Sequence, residues 1–464
     1  MFKKTLTICF TASLLCIGLN ACSKSPKRNV SEKFIGQIDG SSWLADTFRV
    51  SPDSRKMAYV TKQTQKKSVL VNEIHQKPYD DIPIPPVFSP DGKHLAYFAK
   101  SGNKTILILD NKEIILYDNI IPRKLLFSPD SKHLAYVLKK ENKFLVVLDQ
   151  KEQKSYDQLM KGTPFFSPDS KHLAYAAKEN EKWFMVVDEN QHPPCDGLAA
   201  RGLLFSPDSK HLAYIAISNE KWFVVLDKIE QKKYDAIAEG SLTFSPDGSH
   251  LAYAARAGNK KFVVLNQTEQ KEYDNITPSS LTFSPDSRQF AYAAMENGKW
   301  FAVSNQNQHA QYDEILQGPV FSPDGNQMAY VAKSGQKMFV VLDAVQQPKY
   351  DDILFQGPVF SPDSKHLAYA VRQERKRFVV LDGKQGKKYN SILSLPVFSP
   401  DSKHLAYAAR KNRNKFVVID ETKANNYDNI ITTGNADIIF DSPNSLHYLA
   451  QKDNYTYLIE EQIE

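Results

Sequence analysis

The sequence predicts an all-β fold, a β-propeller of about eleven four-stranded blades, on three observations. First, the tripeptide Ser-Pro-Asp occurs ten times at intervals of 38 or 39 residues, beginning at Ser51, Ser89, Ser128, Ser167, Ser206, Ser245, Ser284, Ser322, Ser361 and Ser399. A degenerate copy follows at Phe440-Asp441-Ser442-Pro443-Asn444. Second, the apolar runs within each repeat are four to seven residues long, β-branched or aromatic, and bounded by polar turn residues. That is the signature of short strands, and no repeat shows the longer 3.6-residue periodicity of a helix. Third, a period near 40 residues holding four such runs describes units that cannot bury a core alone and must stack.

The unit at Phe205 shows the elements in order. An inner strand ends at Phe205, a second covers His211 to Ile217, a third Trp222 to Leu226 and a fourth Lys233 to Ile237. Ser-Pro-Asp-Ser, or Ser-Pro-Asp-Gly at Gly92, Gly248 and Gly325, is a tight turn between the first two. Proline presets φ there and the aspartate accepts nearby backbone N–H groups, so the ten aspartates read as turn chemistry rather than as ligands.

The run Phe88-Ser89-Pro90-Asp91-Gly92-Lys93-His94-Leu95-Ala96-Tyr97 and its copies resemble the WD-like repeats of the TolB type. The resemblance covers nearly all of the chain after about residue 48 and implies a propeller. The third and fourth strands, such as Phe262 to Leu265 and Tyr273 to Ile276, depart from TolB itself and mark a sister group of the same repeat.

Counting second strands gives eleven units, the last degenerate. The chain ends after a third strand around Tyr455 to Glu460, and its segment Lys33 to Val50 can supply a fourth and a first strand. Such complementary ends complete one blade and leave no open edge. No linker interrupts residues 51 to 399, which favours a single ring. Eleven blades exceed the usual four to eight, so two smaller rings are the alternative.

Residues 1–21 read as a signal peptide, with Lys3 and Lys4 ahead of the apolar stretch Thr5 to Leu19, too short for a membrane span. Leu19-Asn20-Ala21-Cys22 resembles the bacterial lipobox, which implies cleavage before Cys22 and lipid on its sulfur and amino group. Ser23 in place of aspartate resembles the sorting signal of the outer membrane. Residues 22–33 are then the lipidated cysteine and its tether, and 34–464 the propeller array. Cys9 and Cys16 leave with the signal, so Cys195 is left without a disulfide partner and reads as a packing residue in the place of a repeated tyrosine.

The chain holds 59 Lys and Arg against 53 Asp and Glu, and loss of Lys3 and Lys4 leaves +4. That is too mild for nucleic acid, and the envelope address opposes it. Seven repeats carry histidine at one register position: His94, His133, His172, His211, His250, His366 and His404. Zinc needs ligands within about 2.1 Å of one centre, and equivalent positions on separate blades do not converge there. No Gly-x-Ser-x-Gly elbow, Gly-rich phosphate loop or appended hydrolase domain appears.

The resulting expectation is a lipid-anchored, non-catalytic module that binds an envelope protein and needs no cofactor or metal. Variation concentrates in the loops from each fourth strand to the next first strand, around Arg123, Lys161, Arg201, Glu239, Gln317 and Gln356. In propellers such loops border the channel mouth; the bland reading is that they are ordinary solvated loops. The alternative function is a periplasmic enzyme of hydrolase or lyase type with its site at that mouth.

Overall fold

A computed structural model describes residues 28–37, 43–118, 120–354, 357–432 and 437–464. The signal peptide and Cys22 lie outside the described residues. Eleven antiparallel sheets follow one another along the chain, each with its strands in the order first, second, third, fourth. The only helical segment among the described residues is a single 3₁₀ turn, Pro278–Ser280. Blades are numbered in chain order, so that the Ser51 turn belongs to blade 1 and the Ser399 turn to blade 10.

The termini meet as the sequence expects. Blade 11 takes its first three strands from the C-terminal end, finishing with Tyr455–Ile463. Its fourth is strand β1, Arg28–Gln37, paired from Arg28↔Ile463 to Gln37↔Tyr455. The strand starts at Arg28, so residues 28–33 belong to the blade and not to a tether.

The ring is single and closed. Eleven buried clusters lie between the eleven sheets, each joining one blade to the next. The closing cluster packs Ile35, Leu449 and Leu458 of blade 11 against Phe48, Val50, Met57 and Tyr59 of blade 1. Two smaller rings would need a cluster that skips blades, and the eleven clusters leave none over.

The repeated residues turn out to be fasteners between blades. In the turn of blade 2, Ser89 Oγ donates to Asp91 Oδ1 (2.5 Å) and accepts His94 N (2.9 Å). The Asp91 N–H then crosses to Ser131 Oγ of blade 3 (3.0 Å), and Asp130, Asp169 and Asp247 reach Ser170, Ser209 and Ser287 in the same way. Ser131 sits at φ 64°, the left-handed position that glycine takes at Gly92, Gly248 and Gly325. The Tyr-Asp motif is a second clip. Asp157 accepts Lys143 Nζ of its own blade (2.5 Å) and the Asn180 N–H of the next (3.1 Å). A third contact is aromatic: Tyr156 meets Tyr175 of the next blade edge-on at 6.1 Å. Histidine supplies the fourth, with His94 Nδ1 2.7 Å from Asp110 Oδ2 and its ring stacked on Phe127 of the next blade. The seven repeated imidazoles, one each on blades 2 to 6, 9 and 10, are thereby occupied.

One expected strand is corrected. Lys233 to Ile237 is not a fourth strand. Ile229–Glu230 is the fourth strand of blade 5, Tyr234 bridges to Trp222, and Ala236–Ile237 already pairs with Ala255 and Arg256 of blade 6. The chain changes blade at Asp235, whose two carboxylate oxygens hold Lys221 on one side and the Gly258 N–H on the other.

A candidate partner-binding collar

First strands line the channel, because those of successive blades meet directly while fourth strands carry the exposed outer edge. The Gly240 N–H donates to Arg201 O across blades 5 and 6 (3.0 Å), and Gly318 packs on Ser280 across blades 7 and 8. On the outer edge Ile74 and Ile229 are 67% and 66% exposed.

Most first strands are broken in the middle. In blade 5 Leu198 pairs with Ala216 and the next partner pair is Leu203 with Tyr214; in blade 6 Ile237 pairs with Ala255 and then Thr243 with Ala252. The extra residues bulge inward, and a bulge leaves a second-strand N–H unpaired. A buried hydroxyl takes it: Ser241 Oγ accepts Ala254 N (3.0 Å) and donates to Ala238 O (2.6 Å), and Ser280 and Thr47 serve Ala293 and Val60 alike. The bulges of successive blades form a collar around the channel. Backbones approach no closer than ~4.8 Å, so eleven segments cannot close to less than about 17 Å across.

The variable loops singled out from the sequence are these bulges, set inside the first strand rather than between blades. Arg123, Lys161, Arg201 and Glu239 are exposed on blades 3, 4, 5 and 6, and Gln317 is half-buried on blade 8. Gln356 lies outside the described residues. The structure brings three cations onto consecutive blades, and Glu239 ends the run. Among the described residues, Arg123, Lys161 and Arg201 make no ion pair and no side-chain hydrogen bond. The third-strand lysines differ, since Lys143, Lys182, Lys221 and Lys299 are paired with the Tyr-Asp aspartates. Beside Arg123, Lys124 reaches across to the carbonyls of Gly162 (2.5 Å) and Pro164 (2.7 Å) of blade 4, and burial pulls its ammonium down to about 8.

Half a turn away the wall is apolar. A groove of about 830 Å³ runs along the first strands of blades 9, 10 and 11, lined by Val359, Phe360, Leu393, Leu395, Val397 and Ile439 among others. The channel therefore offers a cationic arc facing an apolar one, which suits a partner with acidic and apolar sides. Sequence reading missed the apolar arc, because its residues belong to the ordinary strand pattern.

Cys195 is buried beside the carbonyls of Trp183 (3.5 Å) and Gly197 (3.2 Å), and burial pushes its thiol up to about 11. His192 Nδ1 lies 3.3 Å from the hydroxyl of Tyr214 on the next blade. Among the described residues no three His, Cys, Asp or Glu side chains are grouped to hold a metal.

No protein family and no curated protein matches the chain. Among solved structures it is similar to a eukaryotic initiation factor, at 15% identity over 74% of this chain and 98% of that chain, with a TM-score of 0.41. It is also similar to TolB from Acinetobacter baumannii (14%, 57% of this chain and 78% of that one, TM-score 0.27). The β-propeller domain of the Trilobed protease from Pyrococcus furiosus gives 14%, 58%, 97% and 0.28. Likenesses at this level carry no functional argument, and the fold stands on the sheet pairing itself.

Proposed function

We propose that the chain is a lipid-anchored cell-envelope propeller, held at the membrane through Cys22 and facing the periplasm, that binds an envelope protein at its inner collar without catalysis. One observation carries this reading. The charges repeated from blade to blade are largely consumed as fasteners, whereas Arg123, Lys161 and Arg201 stand on three consecutive blades with no ion-pair partner among the described residues. A run of unpaired like charges on a rigid scaffold is a surface prepared for an acidic partner.

Reversing Arg123, Lys161 and Arg201 together to glutamate in the tagged mature protein tests it. The expected result is lost capture of the partner that the parent chain enriches from envelope extracts, with the melting curve unchanged. Equal capture by parent and variant removes the collar as the site. Turnover of an envelope substrate by the purified chain would replace the binding module with an enzyme. The anchor is tested apart: Cys22→Ala should move the protein from the membrane to the soluble fraction, and a variant that still pellets contradicts it.

A further inference from the structure

The hairpins that join second to third strands do not carry charge evenly around the ring. Those at residues 372–377 of blade 9 and 410–415 of blade 10 hold eight Lys and Arg and one acid, Glu374. Five of the eight are arginine, out of twelve arginines in the whole sequence. Each hairpin turns on two residues, and the second of them is Arg375 in blade 9 and Arg413 in blade 10. In the other nine blades that position is Asn, Gln, Gly or Glu.

A change in one fastener adds to the excess. In most blades the lysine opening the third strand is neutralised by the Tyr-Asp aspartate of its own blade, as Lys337 is by Asp351 (2.6 Å). In blade 9 that aspartate is Asn390. Its Oδ1 still accepts the Asn412 N–H of blade 10 (2.7 Å), so the clip is kept and the negative charge is gone. At the base of the hairpins, Arg372 meets Asp352 (3.5 Å), Arg377 donates to Asn390 O (2.7 Å) and Arg410 to Ser391 Oγ (3.2 Å). Arg375, Lys376, Lys411 and Arg413 are exposed, with no ion pair and no side-chain hydrogen bond among the described residues. The hairpins on either side are balanced. Lys333 and Lys337 of blade 8 are paired with Glu314 and Asp351, and Lys452 of blade 11 is followed by Asp453.

Glu374 interrupts this patch. Its side chain is exposed beside Arg375, while its N–H is held by Asp351 of blade 8, which fixes where the carboxylate stands. A uniform polyanion is repelled there, whereas a protein segment of patterned charge can set a cation opposite it. No aromatic side chain stands on either hairpin to stack on bases or sugar rings. An anchor on Cys22 would enter blade 11 at Arg28, whose partner Ile463 lies on the Ser-Pro-Asp face, and so would turn the hairpins away from the membrane.

We propose that the hairpin face of blades 9 and 10 docks an acidic protein segment, with carboxylates on Arg375 and Arg413 and a basic residue opposite Glu374. A guanidinium takes a carboxylate through two parallel N–H bonds, which lysine cannot do. The lone carboxylate sets the register, because it rejects a partner that places an acid against it. This surface is separate from the collar cations of blades 3 to 5 and does not depend on the lipid anchor.

The test uses the mature chain carrying Cys22→Ala and an array of synthetic dodecapeptides rich in glutamate, half of them with one lysine moved along the sequence. Polyphosphate and phosphatidylglycerol vesicles are the comparison probes. The expected result is that peptides with glutamates on both sides of the lysine bind most tightly and are released by about 0.5 M salt. Arg375→Glu with Arg413→Glu should weaken the best peptide about tenfold. Glu374→Gln should erase the preference for lysine. Lys93→Glu with Lys132→Glu, on the opposite face, should change neither. Absence of peptide binding, or equal losses in the two paired variants, would overturn the proposal. Tighter binding of lysine-free peptides, polyphosphate or vesicles, strengthened by Glu374→Gln, would overturn it in favour of a uniform polyanion. Loss confined to the collar variant Arg123→Glu, Lys161→Glu and Arg201→Glu would overturn it and leave the collar reading standing. Loss confined to the hairpin variant upholds this surface even where the collar reading fails.

Discussion

At the residue scale the repeat is a set of hydrogen-bonded carboxylates, and that makes the ring acid-sensitive. The hydroxyl of the serine two residues earlier holds Asp91, Asp169, Asp324 and Asp401 down to about 2. An aspartate in the unfolded chain titrates near 3.9. Because the folded value lies below the unfolded one, the stabilisation is complete above about pH 4 and is lost as the pH falls through about 2. Urea midpoints should therefore fall steeply between pH 4 and 2, the many turns acting together; a flat profile across that window contradicts the turn account. Lys124 works in the other sense at the alkaline end. Its folded value near 8 lies below the ordinary lysine value, so the unfolded chain binds the extra proton and stability should rise from pH 8 towards 10. Cys195 should resist alkylation at neutral pH in the native chain and react once urea exposes it, since its thiolate is suppressed and its sulfur covered.

At the element scale the weak point is the closing blade. Arg28 of β1 pairs with Glu461, whose side chain is fully buried and also accepts the Tyr448 hydroxyl (2.6 Å). Arg28→Ala leaves that carboxylate buried without its cation, and breaking such a pair costs about 3 kcal/mol or more. Denaturant titration should show the loss, with Arg28→Lys restoring part of it. What the sequence disclosed at this scale follows from repetition. Ser-Pro-Asp, the second-strand tyrosines and the rim histidines recur at one register, so their structural use was legible without coordinates. The broken first strand was not, because its signal is one hydroxyl: Ser241, Ser280 and Thr47 look like any loop residue until the N–H they accept is known. The boundary between blades at Asp235 was hidden for a related reason, since Tyr-Asp-x-Ile alternates like a strand across the point where the chain changes sheets.

At the scale of the whole molecule, closure and charge distribution are the two properties that matter. The complementary ends were legible, whereas the variable segments, expected between blades, lie inside the first strands. The whole-chain charge of +6 conceals a stretch, residues 372–415, that carries +9. A ring fastened by identical contacts depends on blade number, because each contact sets the same angle between neighbours. Deleting residues 206 to 244 should leave the β-type circular dichroism intact while producing open or multimeric species in size-exclusion chromatography. The most direct measurement is electron microscopy of the mature chain with class averages viewed down the channel. The account predicts one ring of eleven radial blades around a single open channel. Two smaller rings, or an arc with a free edge between the blade formed by β1 and the blade of the Ser51 turn, would contradict it.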